Sequence, residues 1–272
     1  MKISKLTENI GAEVTDVNLK QEINRDTKER LNQALTDNIV LVIRDQEFKP
    51  AEYLAAVSVF GEPMEQHFTQ YQLKETPLVN YVSNRDAYRG GTKLVVRGAG
   101  WHTDHTNHER PPKYTALYAV NLPTFGGDTS FANMHSAYAS LPKGEQSYLR
   151  QLQTVNKIED FGYISEEAQI KFGSLPIHPL IRTHPETGKR AIYVHPGKVE
   201  RIIGQETEES QAFIRNLLER VITPENTYRH QWQLGDLLIC DNRAVLHKAH
   251  KDYDMSEGRV MHRIILRGDR PA

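Results

Sequence analysis

The chain has almost no cysteine. Cys240 is the single thiol in 272 residues, which excludes an internal disulfide and every zinc motif that needs several thiolates. Long apolar runs are missing too. No stretch approaches the ~20 residues that span a bilayer, and the start, MKISKLTENIGAEV, lacks the apolar run of a signal peptide. No membrane association and a cytoplasmic location are the expectations. Nor is there a surplus of charge. The 34 basic and 35 acidic side chains leave a formal charge of -1, too little to hold a polyanion, so nucleic acid is not an expected partner. Internal repeats, low-complexity tracts and Gly/Ser linkers are absent as well. With 38% hydrophobic residues the chain can bury a sizeable core, and it reads as one domain over 1–272.

What is present alternates between strand and helix patterns. Short strands are expected around KISKLT and AEVTDV, then a polar-faced helix in DTKERLNQALTD. The β-branched run IVLVIRD predicts a buried strand, and KPAEYLAAVSVFG predicts a helix closed by Gly61. From Pro77 to Gly127 short strands with Gly/Pro punctuation follow, with residues 84–100 (NRDAYRGGTKLVVRGAG) as a candidate mobile loop. A polar, partly helical stretch fills 136–172. IRTHPETGKRAIYVHP predicts a hairpin with a Thr-Gly turn, and a helix follows near 207–221. WQLGDLLICDN and RVMHRIILRG predict two strong strands. Many strands with a few helices on one side predict a mainly β protein, a sandwich or barrel with flanking helices.

The densest chemistry lies in GWHTDHTNHERPP, residues 100–112. His102 and Asp104 are two positions apart. On a helix they would face about 200° apart; on a strand they share a face, ~6.6 Å apart along the chain. His105 then faces the other way, and His108 lies too far along to join. A third ligand must come from a distant strand, and His247 in CDNRAVLHKAH is the best candidate. Two histidines and one carboxylate form a facial triad that leaves coordination positions open and favours Fe(II) oxygen chemistry. Alone, a His-x-Asp pair is common by chance and fits ordinary surface residues as well. In RVMHRIILRG, strand alternation puts Arg259, Met261 and Arg263 on one face. Arginines that face inward need anionic partners, and a planar guanidinium matches a carboxylate with two parallel bonds; a rim strand with its arginines in water is the plain alternative.

WHTD, GGDT (126–129), DNRAVLH and RVMHR occur in this order, together with FGEP (60–63), IRTHPETGKRAIYV and WQLGD. The ordered set, spread over nearly the whole chain, resembles the taurine dioxygenase family of Fe(II)/2-oxoglutarate-dependent oxygenases. The resemblance implies a double-stranded β-helix (jelly-roll) core. It implies His102, Asp104 and His247 as iron ligands, Thr129 as a hydroxyl donor to 2-oxoglutarate, and Arg259 as the fork on the distal carboxylate of 2-oxoglutarate. It further implies O2 as oxidant, with succinate and CO2 as co-products, and a homo-oligomer. Related halogenases carry a small residue in place of the carboxylate, so Asp104 favours hydroxylation.

The same resemblance bears on the substrate. In taurine dioxygenases an arginine four residues after the co-substrate arginine binds the substrate's anionic group, and Arg263 holds that place. The family's histidine and tyrosine after FGE match His67 and Tyr71 most nearly, spaced four apart rather than three. The asparagine ahead of the tryptophan is replaced by RGAG, and the aromatic expected after the YV strand aligns with Lys198. A cation there, facing the pocket, favours a more anionic or polar substrate than taurine; a solvated loop lysine is the plain alternative. The expected substrate is a small anionic compound: a sulfonate, a carboxylate, a sulfate ester or an amino-acid-like metabolite. Desaturation or another oxidative tailoring step is a second outcome of the same centre. A jelly-roll binding protein without catalysis and a zinc hydrolase are rivals, though neither explains Arg259 with Thr129.

Overall fold

The computed structural model describes residues 1–66, 69–84, 96–158, 170 and 173–272. Its strands are β1 (Lys2–Lys5), β2 (Ala12–Thr15), β3 (Val40–Ile43), β4 (Pro63–Met64), β5 (Gln72–Leu73), β6 (Thr76–Ser83), β7 (Tyr114–Asn121), β8 (Thr129–Asn133) and β9 (Gln153–Asn156). They continue with β10 (Ile177–Pro179), β11 (Ile181–Thr183), β12 (Arg190–Ile192), β13 (Val199–Ile202), β14 (Thr227–His230), β15 (Leu237–Asp241), β16 (Val245–Ala249) and β17 (Val260–Leu266). The helices are α1 (Arg25–Asn38), α2 (Pro50–Val57), α3 (Met134–Ala139), α4 (Lys143–Leu149) and α5 (Thr207–Val221).

The larger sheet runs β1-β2-β3-β15-β7-β17-β6-β5, with β4 also on β17. Among these pairs only β2 with β3 is parallel. A smaller sheet, β14-β8-β16, is antiparallel throughout. The middle of the larger sheet is covered on both faces, which is why VLVI in β3 is buried at every position. Leu41, Ile43, Leu237 and Ile239 meet Leu31 and Leu35 of α1 and Tyr53 and Val57 of α2. The alternate residues Val40, Val42, Leu238 and Cys240 meet Phe131 and Ala132 of β8 and Val245 and Leu246 of β16. Cys240 is a free thiol buried there as a small hydrophobe. Truncating a buried leucine such as Leu238 to alanine would cost ~2–5 kcal/mol. The two facing sheets are the jelly-roll, and the chemistry sits where β16 of the smaller sheet approaches β7 and β17 of the larger.

Local signals set the ends of elements. α1 starts where the Asn24 side chain accepts from the Thr27 N–H at 2.9 Å. The hairpin β11–β12 turns through Thr187 and Gly188, the glycine at φ +67°. The stretch near 136–172 holds α3, α4 and β9, and its residues 159–169, 171 and 172 lie outside the described part. Most of the candidate mobile loop, residues 85–95, lies outside it too.

Candidate metal centre

His102 and His247 are joined first by backbone. They form an antiparallel bridge, His102 N–H to His247 carbonyl at 3.0 Å and His247 N–H to His102 carbonyl at 2.8 Å. This brings the ring centroids to 4.2 Å. Asp104 is not on a regular strand, contrary to the alternation argument: pairing stops at His102 and the chain turns at 104–107, with His105 at φ +53°. The turn still returns the carboxylate to the same side, and one donor atom from each of His102, Asp104 and His247 lies within 4.8 Å of the others. Donors on one face of an octahedron at ~2.1 Å from a metal stand roughly 3 Å apart, so small side-chain rotations close the set.

Two of the three donors are oriented by a neighbour. His102 Nδ1 lies 2.8 Å from the Gly100 carbonyl. A carbonyl only accepts, so Nδ1 carries the proton and Nε2 keeps its lone pair, 3.8 Å from Asp104 Oδ1. Thr115 of β7 donates its hydroxyl to Asp104 Oδ2 at 2.6 Å and itself accepts from Asn242 Nδ2 at 2.8 Å. Asn242 is tied back to the ligand turn, since Thr103 Oγ1 donates to its carbonyl at 2.7 Å. Oδ1 of Asp104 is left for an ion. Neither ring nitrogen of His247 has a hydrogen-bond partner among the described residues, and Nδ1 is buried. Burying an imidazole unpaired costs ~1–3 kcal/mol, and a metal would take up its lone pair. The donor set fits Fe(II).

The charges agree. Burial works to raise the Asp104 pKa, but Arg263, then His247, His105 and His102, outweigh it and hold the carboxyl well below its usual range. Burial, reinforced by His102, depresses His247 to about 3. At neutral pH Asp104 is a carboxylate and His247 a neutral imidazole, the forms that ligate.

Arg259 and Thr129 form a second candidate group. Arg259 is 6% exposed, and its Nε donates to the Gly127 carbonyl at 2.7 Å while Nη2 donates to Thr129 Oγ1 at 3.3 Å. No carboxylate lies within ion-pair distance of it among the described residues, so its charge has no local counterion. The GGDT motif makes room for it. Gly126 and Gly127 sit at φ +72° and +71°, a Cβ on Gly126 would lie 2.4 Å from the Asp252 carbonyl oxygen, and one on Gly127 would press on Arg259 at 3.1 Å.

Arg263 comes to the triad from β17, its Nη1 3.8 Å from Asp104 Oδ1. Gln66 steadies it, accepting from Nε at 2.8 Å and donating to the Arg263 carbonyl at 3.2 Å. His67 lies outside the described residues. Tyr71 is brought to Arg97, whose guanidinium stacks 3.8 Å over its ring, and to Tyr81, edge-on at 5.7 Å. Lys198 is no solvated loop lysine but is 4% exposed. Its charge reaches two more buried histidines: burial and then Lys198 lower His108 to about 4, and burial, His102 and Lys198 lower His195. His195, with its ring 5.2 Å from that of His102, escaped the sequence reading; its place in YVHP, beside the motif that carried Lys198, was the available signal. Thr115, Asn242 and Gln66 escaped it as well. His178, His184 and His230, which lack the triad's spacing, are fully buried.

The jelly-roll and its site define a class, the Fe(II)- and 2-oxoglutarate-dependent dioxygenases, which use O2. The chain belongs to the taurine catabolism dioxygenase TauD, TfdA family, whose pattern matches residues 2–265. It is 33% identical over 283 residues to an alkylsulfatase of Acinetobacter baylyi, covering 99% of this chain and 86% of that one. It is 32% identical over 279 residues to an alpha-ketoglutarate-dependent sulfate ester dioxygenase of Pseudomonas putida, covering 96% and 88%. The crystal structure of a taurine dioxygenase from Burkholderia xenovorans superposes with a TM-score of 0.83 at 30% identity, covering 100% of this chain and 90% of that one.

Proposed function

We propose that this dioxygenase hydroxylates a small anionic organic compound, with a sulfate ester as the favoured class. His102, Asp104 and His247 hold Fe(II), Arg259 and Thr129 hold the distal carboxylate of 2-oxoglutarate, and Arg263 with Lys198 attracts the anionic group of the primary substrate. The observation that carries this reading is the buried Arg259, without a carboxylate partner among the described residues, beside three converging metal donors. A guanidinium buried without an anion costs several kcal/mol, and a carboxylate ligand would remove that cost with two charge-assisted bonds. When bound, the iron supplies oxygen activation coupled to decarboxylation of the 2-oxo acid to succinate and CO2.

The chain's own residues do the rest. Arg259 and Thr129 fix the far end of the 2-oxo acid, so its keto acid end is directed toward the triad. Thr115 keeps Asp104 Oδ2 engaged and Oδ1 turned to the ion. Arg263, clamped by Gln66, presents its remaining donors beside the metal, which holds the substrate's anion and places the adjacent C–H bond at the centre. The names of the alkylsulfatase and the sulfate ester dioxygenase favour a sulfate ester. Hydroxylation of the carbon bearing the sulfate gives an unstable product that collapses to an aldehyde and sulfate.

The reading also treats the whole chain as one catalytic domain, since ligands and grips come from residues 102–263, and it includes a cytoplasmic homo-oligomer, which light scattering would test. The experiment on the substrate is a panel of alkyl sulfates, sulfonates, aryloxy acids and amino acids, scored for succinate and for sulfate release. Sulfate esters should raise succinate above the uncoupled background with stoichiometric sulfate. Stimulation by another class alone would refute the sulfate-ester assignment.

A further inference from the structure

The WQLGD segment, residues 232–236, joins β14 to β15 and supplies no metal ligand. One of its side chains nevertheless reaches the second candidate group. Trp232 Nε1 donates to Thr129 Oγ1 at 3.0 Å, and Arg259 Nη2 donates to the same oxygen at 3.3 Å. A threonine hydroxyl has two acceptor sites and one proton. With both acceptor sites engaged, the proton points away from the two donors, and among the described residues nothing accepts it. Thr129 is buried, so that proton is directed into the space beside Arg259.

We infer that Trp232 is a positioning residue for the co-substrate: its indole N–H occupies one lone pair of Thr129 and thereby aims the threonine proton at the distal carboxylate of 2-oxoglutarate. The inference rests on the assignment of Thr129 and Arg259 under the proposed function. Without the indole donor the hydroxyl has a spare lone pair and turns about its Cβ–Oγ bond, so its bond to the carboxylate is no longer preset.

The tryptophan is itself held. Its ring meets that of His230 edge-on, with centroids 4.6 Å apart. His230 is clamped on both nitrogens, by Tyr228 Oη 2.8 Å from Nδ1 and Asp236 Oδ2 3.0 Å from Nε2. Asp236 Oδ2 also accepts from the Gln233 N–H at 2.8 Å and from Arg44 Nη1 at 2.7 Å. The aspartate that ends WQLGD thus anchors the turn on which its tryptophan stands.

The test is anaerobic calorimetry on the Fe(II)-loaded protein with 2-oxoglutarate and with 2-oxovalerate, which has the same chain length but no distal carboxylate. Trp232→Phe should raise the Kd for 2-oxoglutarate about tenfold, the loss of one hydrogen bond to a charged group, and leave 2-oxovalerate within about twofold. In a Thr129→Val background the same change should cost nothing further. An unchanged Kd for 2-oxoglutarate, equal weakening of both 2-oxo acids, or losses that add in full with Thr129→Val would overturn the inference. If phenylalanine impairs folding, benzothienylalanine at position 232 keeps the ring shape and removes only the N–H, with the same outcomes expected. Arg259→Ala in the same assay separates the two levels. If it weakens 2-oxoglutarate and Trp232→Phe does not, the positioning role alone fails; if neither does, the co-substrate assignment fails with it.

Discussion

His102 and His247, far apart in the chain, exchange two backbone hydrogen bonds of 3.0 and 2.8 Å. A backbone bridge between the two residues brings these rings together. His102→Ala and Asp104→Ala should therefore abolish Fe(II) binding and turnover while leaving the metal-free fold intact. Iron content and metal-free melting temperature check both halves. Iron binding retained at wild-type level in either variant would sink the triad assignment.

Thr115 should act on a bound metal through Asp104, whose Oδ2 accepts its hydroxyl. Thr115→Val removes the hydroxyl that engages Oδ2 and leaves an Asn242 amide without its acceptor. Partners of this kind are worth ~10–100-fold in metal affinity, and that loss is expected here. Competition with a chelator measures it, and an affinity equal to wild type would show that Asp104 needs no such support.

The two arginines of β17 and its approach should separate by ligand. Arg259→Ala should raise the 2-oxoglutarate KM at least tenfold, since it deletes a charge-assisted pair. Arg263→Ala should raise the primary-substrate KM and largely spare 2-oxoglutarate. Equal damage to both ligands by either change would mean the two roles are misassigned.

Acid should destabilise the metal-free protein in a definite window. Burial holds His247 down to about 3 and, with Lys198, His108 to about 4; burial lowers His178 and His230 as well. In the unfolded chain histidine titrates near ~6.5. Between those values the unfolded state binds more protons, so stability present above pH ~6.5 is lost as pH falls toward ~4. Urea midpoints at pH 7, 5.5 and 4.5 should decrease in that order. A flat series would contradict neutral burial of these rings.

Much of this was legible in the sequence, because strong local patterns survive folding. The run IVLVI became a central strand covered on both faces, and the hairpin turned at Thr187-Gly188 as its Thr-Gly pair required. The grouping of His102, Asp104 and His247 was legible because a short motif and a remote histidine in a known order specify it. What escaped depends on tertiary contacts. Thr115 reads as one polar residue in an apolar strand until Asp104 is placed against it. Lys198 reads as a loop lysine because its burial comes from neighbours that periodicity cannot see. The strand argument for Asp104 failed because a single residue of pairing, His102, precedes the turn.

The most direct test of the central claim is anaerobic titration of Fe(II) and then 2-oxoglutarate, followed by the visible charge-transfer absorption of a 2-oxo acid chelated to Fe(II). Wild type should bind one iron per chain and develop the band; His247→Ala should bind no iron and show none; Arg263→Ala should keep it. A band that persists undiminished in His247→Ala and Asp104→Ala would place the iron elsewhere and contradict the account.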